Sequence, residues 1–145
     1  MGHQFIELKI RIPNQTKYLG LIGKISEELA AQIEQYSGNL ETLAYQVNVV
    51  LTEALANAII HANANDPEQE VIVRITVDDN LLLLQVFDHG KGFNLDLIPK
   101  YRPEEPSDEL QDHGRGLFIM RSLMDSVEYR RTEQGNVLEM KKLFR

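Results

Sequence analysis

The chain has 145 residues, of which 15 are lysine or arginine and 22 are aspartate or glutamate, and it contains no cysteine. The lack of cysteine excludes a disulfide framework, a thiolate metal site and a cysteine nucleophile. The formal charge of -7 would repel a phosphate backbone, so we expect no direct nucleic-acid partner. Because the length suits one hydrophobic core, we expect a single domain over residues 1–145.

The apolar runs of the sequence are too short for a membrane span. The longest, around "NLLLLQVF", falls far below the roughly 20 residues that cross a bilayer as a helix. The N-terminus lacks the basic and apolar pattern of a signal peptide. We therefore expect a cytoplasmic protein with no membrane partner.

The first half of the chain predicts one strand and two helices. In "FIELKIRI" (5–12), apolar residues alternate with charged ones, as in a half-buried strand. From about residue 17 to 36, apolar residues recur every three or four positions, which predicts an amphipathic helix. A second helix is expected from about Leu40, with Asn39 as its N-cap, to "NANDP", where a proline prevents continuation.

The second half predicts two hairpins separated by a long loop and a helix. "EVIVRITV" and "LLLLQVFD" read as strands joined by an Asp-Asp-Asn turn. Residues 89–116, rich in proline, glycine and acidic groups, read as a long mobile loop of the kind that covers active sites. "GLFIMRSLMDSV" predicts a helix, and residues 127–143 predict a hairpin turned at Gly135.

This order of elements predicts an α+β fold. The strands should form a mainly antiparallel mixed sheet, and the helices should cover one of its faces, giving a two-layer α/β sandwich.

The second helix carries three polar residues in an apolar run, "LTEALANAIIHA". Glu53, Asn57 and His61 are spaced four apart, so they should project along one line of the helix. The apolar residues between them can fill the core, which leaves the polar line at its margin. That line faces either solvent, as an ordinary stripe, or a ligand.

Two glycine pairs add to this pattern. "DHGKG" (88–92) begins where a strand ends, and "HGRGL" (113–117) is expected to open a helix. Glycines let main-chain N–H groups approach a ligand, and a helix N-terminus suits phosphate. Either pair alone is explained by turn chemistry. Neither a P-loop nor a dinucleotide-binding fingerprint is present in the required context.

Together, the ordered motifs E-x-x-x-N-x-x-x-H, D-x-G-x-G and G-x-G-L resemble those of the Bergerat fold. This is the ATP-binding domain of gyrase, heat-shock chaperones, histidine kinases and MutL. "EALANAIIHA" resembles its N box, "DHGKG" its first glycine box and "GRGLFIM" its second, over about residues 40–142.

The chain is most similar to the anti-sigma-factor and serine-kinase branch of that superfamily. The resemblance implies binding of ATP and Mg²⁺, binding of a sigma factor or related regulator, and phosphorylation of an anti-anti-sigma factor, its antagonist, on serine or threonine. It also implies a possible homodimer, formed through apolar groups on the first strand and helix.

The resemblance also implies roles for individual residues. Asp88 would accept a hydrogen bond from the adenine amino group and so select ATP over GTP. Asn57 would offer an oxygen to Mg²⁺, and Glu53 would act as general base. The remaining residues expected to bind nucleotide are Gly90, Gly92, Gly114, Arg115, Gly116 and Leu117.

Three alternatives stay open at this point. Some active kinases of the branch carry a basic residue just before the second glycine box, where this chain has Asp112 and His113. The protein could therefore be a kinase, a noncatalytic nucleotide-gated binding module that sequesters a partner, or a simple ATPase. For His61, a structural role and a role in the site are both open.

Overall fold

A computed structural model of the chain describes residues 5–106 and 108–145, with the backbone alone for residues 109 and 110. The chain forms five strands and three α-helices within the described residues. In order, they are β1 (Ile6–Pro13), α1 (Leu19–Ala30), α2 (Leu40–Ala56), β2 (Glu70–Val77), β3 (Leu81–Asp88), α3 (Glu109–Leu123), β4 (Ser126–Thr132) and β5 (Gly135–Leu143). Helix α2 continues directly into a π-helical turn, Asn57–Ala62.

The strands form one sheet in the order β1-β2-β3-β5-β4, and each neighbouring pair in this order is antiparallel. Alternation along each strand decides which face is buried. In β2, the side chains with at most 1% of their surface exposed are Val71, Val73, Ile75 and Val77. They pack with the apolar faces of the helices in one core, so the predicted α+β, two-layer arrangement is confirmed.

Helix α2 is the central element of the helical layer and packs against both α1 and α3. By length and composition, Leu40–Ala62 is the one helix in the described part of the chain that could cross a membrane. However, 56% of its most apolar stretch is buried inside the fold. Its apolar character is therefore explained by its place in the core.

The ends of the first two helices only partly match the sequence pattern. The prediction of a helix to residue 36 is wrong, because α1 ends at Ala30. The next N–H groups, of Gln32 and Ile33, donate to carbonyls three residues back, which tightens the chain into turns. Ile33 stays fully buried, which explains why the apolar periodicity continued past the helix. At α2 the predicted cap is confirmed, since the Asn39 side chain accepts a hydrogen bond from the Thr42 N–H at 2.9 Å.

Both predicted hairpins are present. Between β2 and β3, Asp78 Oδ1 accepts hydrogen bonds from the N–H groups of Asn80 at 2.7 Å and Leu81 at 2.9 Å. Between β4 and β5, Gly135 has a φ of +131°, which favours glycine, and pairs with Thr132 across the turn. This turn sets the register of β4 beside β5, and β5 in turn pairs with β3.

Candidate functional site

Helix α2 presents Glu53 and Asn57 one turn apart, toward α3. A Cβ atom added at Gly116 would lie 3.0 Å from Glu53 Oε2 and 3.4 Å from Asn57 Nδ2. Gly116 therefore packs directly over these two groups, where a larger residue would be crowded. The fold thus brings together three of the residues that the sequence pointed to.

The environment of Glu53 favours a protonatable carboxyl group. Burial raises its pKa; the nearby positive charge of Arg115 lowers it in part, and the negative charge of Asp112 raises it. Arg115 and Asp112 form a partly exposed ion pair, with 3.5 Å between Nη2 and Oδ1. A carboxylate whose pKa is raised is better suited to accept a proton than an ordinary surface glutamate.

Asn57 is buried, yet its side-chain nitrogen lacks a hydrogen-bond partner among the described residues. Leaving such a group unsatisfied costs about 1–3 kcal/mol. Its backbone N–H is used within the helix, donating to the carbonyls of Glu53 and Ala54. The Asn57 carboxamide is therefore a polar group held in place by the helix with capacity left for a ligand.

His61 stands on the π-helical turn that follows α2. The N–H of Asn63 donates to the carbonyl of Ala58, five residues back, at 2.8 Å, as in a π-helix. The ring of His61 stacks on His113 of α3, the helix whose Gly116 meets Glu53 and Asn57. His61 therefore faces the same helix as the other two polar residues.

Asp88 ends β3 and is almost fully buried. The sheet register places it opposite Asn136 of β5, on the face toward the helices. Asp88 Oδ1 accepts hydrogen bonds from Asn136 Nδ2 at 2.7 Å and from the Gly90 N–H at 3.0 Å. Burial raises the pKa of Asp88, and these two hydrogen bonds lower it in part.

The first glycine pair serves two different structural needs. A Cβ atom at Gly90 would collide with the backbone carbonyl of Ala62, at the end of the π turn. Gly92 has a φ of +73°, and a Cβ there would lie 2.7 Å from the hydroxyl of Tyr129. Gly90 is therefore required by the close approach of the Ala62 carbonyl, and Gly92 by its left-handed backbone.

The second glycine pair lies inside a helix. The prediction that it opens one is wrong, because α3 begins at Glu109, where the Asp108 side chain accepts a hydrogen bond from the Gln111 N–H at 2.7 Å. Gly114 and Gly116 follow after the first turn, where N–H groups bond to carbonyls within the helix. Their N–H groups are not available to phosphate in this conformation. Gly114 packs closely on the backbone carbonyl of Pro99.

Four rings pack against one another near the two groups of site residues, which are Glu53 and Asn57 under α3 and Asp88 at the end of β3. His61 stacks on His113 with 3.9 Å between ring centroids, and Phe93 meets His113 edge-on at 4.6 Å. Phe93 in turn stacks on Tyr129 at 4.2 Å. Burial, followed by the charge of His61, lowers the pKa of His113 to about 4. Burial raises the pKa of Tyr129 to about 12. We call these four residues the ring column.

Four residues at the site received no site role from the sequence: Phe93, His113, Tyr129 and Asn136. Asn136 lies opposite Asp88 through the pairing of β5 with β3, which the local β4–β5 hairpin does not reveal. The rings come from segments that only the tertiary fold joins. Leu117, expected at the site, is buried in the core, so its side chain contributes to packing.

Comparison with known proteins identifies the family. The histidine kinase-like ATPase domain matches residues 13–142, and the chain belongs to this family. It is 32% identical over 127 residues to serine-protein kinase RsbW of Bacillus subtilis, covering 85% of this chain and 76% of that protein. It is 31% identical over 113 residues to the anti-sigma F factor of Anoxybacillus flavithermus, covering 77% of each.

A solved structure shows the same fold. The histidine kinase domain of the blue-light activated histidine kinase EL346 of Erythrobacter litoralis aligns with a TM-score of 0.52 at 19% identity. The alignment covers 91% of this chain and 61% of that one. At this identity the likeness concerns the fold alone.

The residues present fit the nucleotide and the metal ion that the family implies. Asn57 supplies a buried, unsatisfied amide, and its other atom is an oxygen of the type that Mg²⁺ prefers. Among the described residues there is no cluster of three or more histidine or carboxylate ligands for a metal ion. A metal ion at Asn57 would therefore depend on phosphate oxygens for most of its ligands.

Proposed function

We propose that this protein binds ATP with Mg²⁺ and acts as an anti-sigma regulatory factor in the bacterial cytoplasm. In this role it phosphorylates an anti-anti-sigma factor on serine or threonine, as part of a partner switch. The observation that carries the proposal is the arrangement on α2. Glu53, whose pKa is raised, stands one turn from the unsatisfied amide of Asn57, and both lie under Gly116.

Asp88 would bind the adenine. One of its oxygens is held by Asn136 and Gly90, so the carboxylate is fixed and its second oxygen can accept the amino N–H of adenine. Guanine carries an oxygen at that position, which a carboxylate would repel. The rigid acceptor would therefore select ATP over GTP.

Asn57 would hold Mg²⁺ through its amide oxygen, and the ion, when bound, would neutralise charge on the phosphates. Gly90, Gly92, Gly114 and Gly116 would leave room for the phosphates, with Arg115 adding a positive charge.

Glu53 would carry the proton transfer. It would take the proton of a serine or threonine hydroxyl as that oxygen bonds to the γ-phosphorus and the bond to the β-phosphate oxygen breaks. The products are the phosphorylated antagonist and ADP. Desolvation, which raises the pKa of Glu53, fits the carboxylate to this task.

The partners in this proposal are an anti-anti-sigma antagonist, a sigma factor or related regulator, and a second copy of the chain, without direct binding of nucleic acid or membrane. The names of the RsbW and anti-sigma F relatives support the first two. Exposed apolar side chains at the start of the chain and on α1, Phe5 and Leu21, support a homodimer.

A noncatalytic, nucleotide-gated binding module is the second candidate. It is favoured by the two residues just before the second glycine pair, where some active kinases carry a basic residue. Asp112 is acidic, and the buried His113 is uncharged at neutral pH because its pKa is lowered to about 4. Such a module would sequester its partner in a one-to-one complex that depends on ATP and leaves it unmodified.

Phosphate transfer from ATP to purified anti-anti-sigma proteins of the source organism separates the two candidates. Mass spectrometry would locate the phosphorylated residue for the native chain, Glu53→Gln and Asp88→Asn. A kinase modifies its antagonist on serine or threonine, loses at least about a hundredfold in rate without Glu53, and retains ATP binding in that variant. An ATP-dependent complex with an unmodified antagonist would instead support the binding module.

A further inference from the structure

The ring column joins four segments that are far apart in the sequence. Two of its rings stand on framework elements: His61 on the π turn and Tyr129 on β4. The other two belong to neighbouring segments, Phe93 following the first glycine pair and His113 standing on α3. Phe93 stacks on Tyr129 and His113 stacks on His61, so the column fastens these two segments to the framework.

The column lies near the two groups of site residues. At one end, Tyr129 Oη accepts a hydrogen bond from the Phe93 N–H at 3.3 Å and lies close to Gly92, four residues after Asp88. At the other end, His113 stands one helical turn before Gly116, which covers Glu53 and Asn57. A cavity of about 310 Å³ adjoins the outer side of Asp88, but neither Glu53 nor Asn57 lines it. The ring column therefore runs from the segment that follows Asp88 to the helix that covers Glu53 and Asn57.

Burial of the His113 ring costs free energy of folding. Its side chain is 3% exposed, and its Nε2 atom has no hydrogen-bond partner in the part of the chain that the structure describes. Burial of an imidazole nitrogen without a partner is unfavourable. Stacking on His61 and contact with Phe93 offset this cost, and movement of the ring into water would remove it.

We propose that the ring column is a latch that closes the nucleotide site, and that ATP binds after His113 and Phe93 have separated from His61 and Tyr129. This inference rests on the proposed function, because it concerns the same site. Opening moves α3 away from α2 at Gly116 and frees the space between Asp88 and Asn57. Since only the open fraction binds nucleotide, the latch weakens the apparent affinity by that fraction.

Two variants break the latch at different rings. Phe93→Ala removes the central ring from a partly exposed loop position, and His113→Leu removes stacking while it keeps the core position apolar. Tyr45→Ala is the matched control, because it removes an exposed aromatic ring from α2 outside the column.

Hydrogen exchange without nucleotide is the first readout. In both latch variants we expect the amides of α3 that follow the helix start to exchange at least about tenfold faster than in the native chain, whereas Tyr45→Ala leaves them unchanged. Unchanged exchange in Phe93→Ala and His113→Leu would overturn the latch, whatever their nucleotide affinity.

Titration with ATP and Mg²⁺ is the second readout. We expect Phe93→Ala and His113→Leu to bind about three- to tenfold more tightly than the native chain, with faster association. Equal or weaker binding by variants with faster exchange would show that the rings support the bound state, and would overturn the latch. Failure of the native chain and all variants to bind would overturn both the latch and the proposed function, even with accelerated exchange.

Discussion

The two glycine segments, residues 88–92 and 113–117, are similar in sequence but are held in different ways. In the first, Asp88 belongs to the sheet and its carboxylate is fixed by hydrogen bonds from Asn136 and Gly90. The second lies within α3 and meets α2 through the close contact at Gly116 and through the ring column. Under the proposed function, the adenine end of the site is therefore preformed, and the phosphate end must rearrange.

Gly90→Ala should have the largest effect on the free energy of unfolding. The added methyl group collides with the backbone carbonyl of Ala62, and both segments belong to the fixed framework. We expect a loss of about 2–3 kcal/mol, typical of overpacking, measured by urea denaturation.

Gly114→Ala is the matched variant in the second segment. Its methyl group would also collide with a backbone carbonyl, that of Pro99, but alanine returns roughly 1 kcal/mol of helix propensity. We expect a smaller net loss, of about 1–2 kcal/mol, because the helix propensity offsets part of the overpacking. A loss as large as that of Gly90→Ala would mean that both segments are equally rigid.

Asn136→Ala should weaken the first segment without adding volume. It removes the hydrogen bonds from Nδ2 to Asp88 Oδ1 at 2.7 Å and to the Gly90 carbonyl at 3.0 Å. We expect a loss of about 2 kcal/mol by urea denaturation, because a buried carboxylate loses a partner.

Asn94→Ala is the control for Asn136→Ala. Asn94 Oδ1 accepts a single exposed hydrogen bond, from the Asp96 N–H at 2.9 Å. This variant should lose less than about 1 kcal/mol. Equal losses in the two variants would show that the Asp88–Asn136 contact does not stabilise the first segment.

Acid should destabilise the second segment through His113. Its pKa is about 4 in the folded protein and near 6.5 unfolded, so between these values the unfolded chain binds more protons. Stability contributed by the neutral, buried ring is complete above pH 6.5 and is lost as the pH falls toward 4. Urea midpoints measured from pH 7.5 to 4.5 should therefore fall less in His113→Leu than in the native chain. If the urea midpoints of the two proteins fell in parallel with pH, His113 would be excluded as the cause of the acid destabilisation.

Arg115→Ala should have the smallest effect on stability. The Arg115–Asp112 pair is partly exposed, so its loss should cost less than about 1 kcal/mol. The pKa of Glu53 should rise further, because a nearby positive charge is removed. Carbon-13 NMR titration of the glutamate carboxyl groups would measure this change.

Arg102→Ala offers a matched comparison for Arg115→Ala. Arg102 also forms an exposed ion pair with a carboxylate three residues away, Glu105, at 3.4 Å. Its removal should leave the Glu53 titration unchanged. A similar shift of Glu53 in both variants would contradict a local effect of Arg115.

The strands were predictable from the sequence, β1 because apolar and charged residues alternate, and β2 and β3 because two apolar segments flank an Asp-Asp-Asn turn. The helix boundaries were harder to predict. Ile33 continues an apolar period beyond the end of α1, since a buried side chain in a turn gives the same pattern as one in a helix. At α3, the glycines suggested a helix start, whereas the Asp108 cap sets it several residues earlier.

Part of the site was predictable for a similar reason. Glu53 and Asn57 are neighbours along one regular helix, so their spacing alone places them together. The ring column brings together His61, Phe93, His113 and Tyr129, which are far apart in sequence, and their contacts depend on how the segments pack. The π turn that carries His61 likewise has no signature in residue spacing.

Titration calorimetry with ATP and Mg²⁺ on the native chain, Asp88→Asn and Asn57→Ala tests the nucleotide site most directly, with GTP as the competing nucleotide. We expect saturable binding of ATP in preference to GTP by the native chain, and at least about a tenfold loss of affinity in each variant, since each loses a charge-assisted or metal contact. A folded native chain that fails to bind ATP, or variants that bind it as tightly as the native chain, would contradict a nucleotide site between Asp88 and Asn57.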